Sequence, residues 1–284
     1  MSMQHALFDT AGPKARARVR IFTVISVLIL LAIIGLAYWQ LYLSGALAPS
    51  KWLPFTQPAI QSYFAGALGR TALAALGAAV IAVPLGLVLA LGRLSPVALF
   101  RWPATAFIEF FRAIPVLLVI YAFMFALPSY GINPSEYWKL VIPVGLCTAA
   151  VIAEVFRAGV LALPRGQTEA GLSVGLTPGQ TFRLVVFPQA LRVVIPALVA
   201  QAVIVVKDTA FGYVVSYPEL QQSARVLVAN TRNLVQTYLV VTVIYIVINL
   251  LISRVAVWMD RKLATRRAGK TKFVSLTTGR GPIQ

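Results

Sequence analysis

The sequence is poor in groups that do chemistry. It holds 1 cysteine and 1 histidine in 284 residues. A single cysteine forms no disulfide within the chain, and Cys147 sits in an apolar run where a thiol behaves as a small hydrophobe. His5 lies in the polar N-terminal segment. This supply excludes the usual zinc sets and Cys/His nucleophile dyads, so no metal site is expected. Acids are scarce too, with 8 Asp+Glu against 25 Lys+Arg. Charged residues make up 12%, where a soluble domain carries about a quarter. Hydrophobic residues make up 59%. Together these exclude a soluble enzyme, a disordered tail and a nucleic-acid binder, despite a net charge of +17. The excess cations belong in loops facing an anionic membrane leaflet.

What the sequence has is long apolar runs. Ile21–Trp39, Thr71–Gly92, Ala113–Ser135 and Asn233–Ser253 carry no charge over 19, 22, 23 and 21 residues. About 20 residues of helix cross the hydrocarbon of a bilayer. Leu140–Ala153 and Val193–Val206 are shorter and stop at Glu154 and at Lys207-Asp208. Extended past those charges they complete six helices, near 21–43, 63–92, 105–128, 138–161, 191–214 and 234–258. Helices are expected because a spanning chain must satisfy its own backbone groups. No run shows the alternation of a membrane β-barrel.

Loop charges orient these spans. With the N-terminus in the cytoplasm, 18 Lys and Arg fall inside, 4 fall outside, and Arg70, Arg112 and Lys207 lie in or beside spans. This positive-inside asymmetry places both termini in the cytoplasm. Segments 1–20 and 259–284 are then basic cytoplasmic tails. The first span, 21–43, follows a basic segment as a signal peptide would, but its apolar run exceeds the usual stretch of about 7–15 residues, so it is expected to be retained.

The loop at 163–188 has helix grammar. Pro164 can open a helix and Gly175 can end it; Thr177-Pro178 can cap and open a second, and Pro188 closes the loop. Two short helices outside the bilayer are expected. Within it, Glu169-Ala170-Gly171, then Gly175, then Val185-x-Phe187-Pro188 resembles the EAA signature of ABC-importer permeases, E-A-A-x3-G-x9-I-x-L-P, with Gly171 in place of the second alanine. Ala153-Glu-Val-Phe-Arg-Ala-Gly159, Phe187-Pro-Gln-Ala-Leu-Arg192, Lys207-Asp-Thr-Ala210 and Phe111-Arg-Ala-Ile-Pro115 resemble the polar amino acid branch of that superfamily. The segment from Gly212 to Ala224 is similar to glutamate-uptake permeases. The likeness runs from about residue 63 to 258.

The resemblance implies an all-α, polytopic protein of the type I ABC importer permease fold, with a five-helix core at 63–258 and one extra N-terminal helix. It implies a permease subunit of an ATP-driven importer for polar amino acids, glutamate first, then aspartate, glutamine or asparagine. The chain would form half of the translocation pathway in a bacterial cell membrane. Its implied partners are a cytoplasmic ABC ATPase dimer, a second permease subunit, identical or homologous, and an extracytoplasmic amino-acid-binding protein. The chain has no G-x-x-x-x-G-K-[ST] loop, so ATP and Mg would be bound by the ATPases and the chain is not itself an enzyme. Glu169, Ala170, Gly171, Gly175 and Pro188 would form the ATPase-coupling element. Small residues allow close approach, and Glu169 is placed for the helix dipole or for a partner cation.

Charges in or beside spans are the other candidates, because they are costly in lipid. Glu154 and Arg157, three apart, suit a structural ion pair, and Glu109 and Arg112 show the same spacing. Lys207 and Asp208 are adjacent and point to different faces. An amino acid presents an ammonium and a carboxylate, so Arg112, Gln201, Lys207 and Asp208 are candidates for lining its path. The competing reading is an ion-gradient-driven secondary transporter or channel. It lacks a visible internal repeat in its favour.

Overall fold

The structure is a computed structural model describing residues 12–277, with side chains described for most of 12–259. His5, Arg280 and the side chains of the basic segment from residue 260 onward lie outside the described residues. Two compact units form, Met1–Gln57 and Pro58–Gln284.

The first unit is dominated by α1 (Pro13–Leu43). It begins within the stretch expected to be a tail, with Pro13 supplying a preset φ at its first turn. Ile21, Phe22, Leu30 and Val27 point to different sides and are all exposed, so the helix is apolar on every side. Such a helix is stable only in an apolar solvent.

The second unit is built on α2 (Pro58–Leu94) and α5 (Glu136–Leu161), its most extensively packed pair. Ala67, Ala74, Ala78 and Ala82 form a buried small-residue seam along α2. A Cβ on Gly86 would come within 2.6 Å of the Ile152 side chain and 2.9 Å of the Ala149 carbonyl. Small residues thus set the α2–α5 separation, as they do where membrane helices associate without a hydrophobic drive. A second core joins α5 to α3 (Ala98–Ala113) and α8 (Phe187–Asp208) through Ile108, Ile152, Phe156 and Val194. α10 (Leu234–Thr277) packs on α8 and exposes Val243, Val247, Leu250 and Val255 on its other side.

The expected third span, 105–128, is not one straight helix. α3 meets α4 (Val116–Tyr121) at a bend of 99°. Pro115 explains the break. It disfavours helical geometry at Ile114, which is extended at φ −95° and ψ 130°. α4 then continues through a π turn, Ala122–Ala126, to Leu127–Ser129. Five described helices are long and apolar enough to span a membrane, and six spans result when the bent pair counts as one.

The loop at 163–188 also departs from expectation. α6 (Arg165–Ser173) and α7 (Pro178–Thr181) form, but Pro188 does not end the second helix. α7 runs through a π turn, Phe182–Val186, into α8. The Phe187 amide reaches back to the Phe182 carbonyl. The wider turn lets the chain pass a proline ring that would clash with an α-helical carbonyl four residues earlier. Pro128 follows its own π turn in the same way. After α8 the chain makes a 3-10 turn, Thr209–Val215, and then α9 (Leu220–Thr231), a short helix in what reads in sequence as a plain outer loop.

Candidate functional site

A cavity of about 240 Å³ opens where α3, α5 and α8 converge. Its walls include Arg112 and Ile114 beside the Pro115 break, Cys147 and Thr148 on α5, and Gln201 and Asp208 on α8. Three of the four path candidates therefore meet. The bend at Pro115 is what puts Arg112 there, since it ends α3 at the cavity wall. Lys207 does not line this cavity and is exposed on another face of α8. Adjacent helical residues diverge by about 100°, so one turn of α8 offers the cavity one of these charges and not both. Among the described residues no ion pair joins Arg112 to Asp208. The cavity thus holds a cation and an anion with space for a molecule carrying both signs.

An ion-pair chain lies beside it. Arg93, in the last turn of α2, donates through Nη1 to Glu154 Oε1 and through Nη2 to Glu109 Oε1, the latter at 2.8 Å. Glu154 also accepts from Arg157 Nε and Nη2 at 3.1 and 3.0 Å. Arg112 Nη1 stands 3.8 Å from Glu109 Oε2. Spacing alone shows the two pairs within helices. That Arg93 joins them across 61 residues of chain depends on packing.

In the loop, α6 exposes Glu169 and Ala170, with Leu172 on the same short helix and Val174 after it. Gly175 holds φ +84°, a conformation in which any Cβ is strained. Thr177 and Gln180 form a reciprocal capping box that starts α7. Gly171 packs inside the loop. It is buried, and a Cβ there would come within 2.6 Å of Thr181 Cγ2. Its smallness serves the packing of α6 on α7, inside the loop. Pro188 is exposed at the start of α8, and Gln189 beside it donates to Gln167 Oε1 at 2.9 Å, tying α6 to α8.

Sequence reasoning missed Glu219. It is fully buried, caps α9, and lies in the connection between α8 and α9. Its carboxylate accepts from the Gln221 and Gln222 amides at 2.8 and 2.7 Å and from the Tyr245 hydroxyl at 3.1 Å. Burial pushes its carboxyl up to about 7, against the opposing pull of the two amides and Tyr245. The available signal was Pro218-Glu219 before an amphipathic stretch, a helix start.

Comparisons with known proteins agree with this architecture. Residues 82–265 match the family of binding-protein-dependent transport system inner membrane components. The glutamate transport system permease protein GluD of Corynebacterium glutamicum is 36% identical over 233 residues, covering 80% of this chain and 85% of that protein. The glutamate/aspartate import permease protein GltK of Escherichia coli is 31% identical over 195 residues, covering 66% and 87%. A crystal structure of an amino acid ABC transporter with histidines superimposes with a TM-score of 0.69 at 27% identity, covering 72% of this chain and 95% of that one. A bundle with a broken third span, two short helices between its fourth and fifth spans, and this match over residues 82–265 make the chain a member of the binding-protein-dependent inner membrane component family, with the type I ABC importer permease fold.

Proposed function

We propose that this chain is the permease subunit of an ATP-driven importer and carries an acidic amino acid, glutamate first, through the cavity between α3, α5 and α8. The observation that carries this reading is that Arg112, Gln201 and Asp208 line one cavity without an ion pair between the two charged groups. A zwitterion suits that arrangement. Its carboxylate meets the guanidinium of Arg112 and its ammonium meets Asp208, each as a charge-assisted hydrogen bond. The resemblance of the Gly212–Ala224 segment and the naming of GluD and GltK support glutamate.

The chain would be half of the pathway. A second permease subunit completes it, and an extracytoplasmic binding protein delivers the amino acid. Two cytoplasmic ATPases bind ATP and Mg and dock on α6 through Glu169, Ala170, the backbone at Gly175 and the exposed Leu172 and Val174. α6 is tied to α8 by Gln167–Gln189, and α7 is continuous with α8 through its π turn. Motion of the ATPases therefore reaches the helix that carries Gln201 and Asp208 as a rigid-body shift. Both termini are cytoplasmic in this scheme. Reporter fusions after Arg165 and Ala264 should read cytoplasm, and one within 216–232 should read outside.

The test uses the chain's own thiol. Cys147 is the single cysteine and lines the cavity. In the purified permease–ATPase complex without binding protein, L-glutamate should slow alkylation of Cys147 in a saturable way. Arg112→Met should abolish that protection. Protection by arginine and none by glutamate would overturn the acidic-substrate assignment.

A further inference from the structure

We propose that Arg93 is a positioning residue that keeps Arg112 open to a substrate carboxylate, by holding Glu109 and Glu154 away from it. The inference rests on the cavity reading above.

Three guanidiniums, Arg93, Arg112 and Arg157, share two carboxylates, Glu109 and Glu154. Arg93 comes from α2 and reaches both, taking Glu109 Oε1 at 2.8 Å and Glu154 Oε1. Arg157 takes the other oxygen of Glu154 at 3.0 Å. Among the described residues, the ion pair Arg112 makes is with the far oxygen of Glu109, at 3.8 Å, which is beyond hydrogen-bond length. The surplus positive charge therefore falls on Arg112, the one guanidinium of the three that lines the cavity. Glu109 and Arg112 stand three apart on one helix. Without Arg93, Glu109 loses its short partner and can close on Arg112 with a simple rotamer change. A substrate carboxylate would then have to displace it.

This makes a prediction that simple structural support does not. Arg93 does not line the cavity, yet Arg93→Gln should weaken ligand binding there, and removal of Glu109 should reverse the loss. The measurement is the L-glutamate concentration giving half-protection of Cys147 from alkylation, in the permease–ATPase complex. Arg93→Gln should raise it at least tenfold. Arg93→Gln with Glu109→Gln should return it to within threefold of the unsubstituted protein. Glu109→Gln alone should lower it or leave it within twofold, and it can be read even if Arg93→Gln fails to assemble. A tenfold rise in Glu109→Gln alone, or no rescue in the double variant, overturns the inference. If Arg112→Met leaves half-protection unaltered, the cavity reading itself has failed and this inference falls with it. If Arg112→Met abolishes protection while Arg93→Gln changes nothing, the cavity reading stands and only the role of Arg93 is lost.

Discussion

Glu219 Oε2 accepts the Tyr245 hydroxyl at 3.1 Å, joining the cap of α9 to the N-terminal part of α10. Around this pair, the Leu220 amide donates to Thr71 Oγ1 at 3.1 Å and the Tyr217 hydroxyl donates to the Arg70 carbonyl at 3.2 Å. A Cβ on Gly212 would come within 2.7 Å of Glu219 Cγ. The carboxylate thus ties α9 to α10, while its neighbours Tyr217 and Leu220 tie the same segment to α2. Its cost is the desolvation that raises its pKa.

The sign of the pH effect follows from that rise. Folded Glu219 keeps its proton up to about pH 7, while the unfolded chain releases it near the ordinary carboxylate value of about 4.3. The folded state therefore binds more protons between these limits, and stability falls as pH rises through them. Thermal unfolding of the detergent-purified chain should occur at higher temperature at pH 5 than at pH 7.5. Glu219→Gln should flatten that dependence while lowering stability at both pH values by about 1–3 kcal/mol, because an amide cannot satisfy two backbone donors and Tyr245 together. An unaltered pH slope in Glu219→Gln would mean another group is responsible.

Gly171→Ala should destabilise the loop although alanine is the better helix former. The helix gain is at most about 1 kcal/mol. The new Cβ would press within 2.6 Å of Thr181 Cγ2, and overpacking of this kind costs about 1–3 kcal/mol. Thr181→Ala removes the obstructing atoms, so the double variant should recover. Protease susceptibility of the 163–188 segment, read in all three variants, decides the matter. Normal resistance in Gly171→Ala would show that α6 and α7 can separate at no cost.

Gly175 separates backbone strain from docking. Gly175→Asn tolerates the positive φ and should keep most ATPase association. Gly175→Asp adds a charge at the proposed interface. Burying it unpaired typically costs several kcal/mol, which is orders of magnitude in association at about 1.4 kcal/mol per tenfold. ATPase recovered per permease after detergent extraction should be near normal for Asn and strongly reduced for Asp. Equal recovery from both would remove Gly175 from the coupling surface.

Lys207 and Asp208 should behave differently despite being neighbours. Asp208→Asn alters the cavity wall and should reduce glutamate uptake at least tenfold, while Lys207→Met should stay within about threefold. The comparison is initial uptake rate in proteoliposomes at matched permease levels. A larger loss from Lys207→Met would place the path on the other face of α8.

The class of molecule, most of its spans and the place of the loop at 163–188 were legible in the sequence. The reason is that a bilayer imposes its thickness and its dislike of charge directly on the chain, and capping at Pro164, Gly175 and Thr177 is chemistry local to a few residues. Pairings three residues apart, such as Glu154 with Arg157, were legible for the same reason: helix periodicity places them on one face. Which helix faces which emerged from the packed bundle. It brought Arg93 to Glu154, placed Gly171 against Thr181, set Asp208 in the cavity and Lys207 outside it, and gathered Thr71, Tyr245 and the turn after Asp208 around Glu219. It also turned Pro188 from an expected loop end into helix that passes through a π turn. Periodicity reports directions around one axis. Which neighbour lies in each direction depends on how small residues such as those lining α2 let the helices approach, and that is settled by packing over the whole bundle.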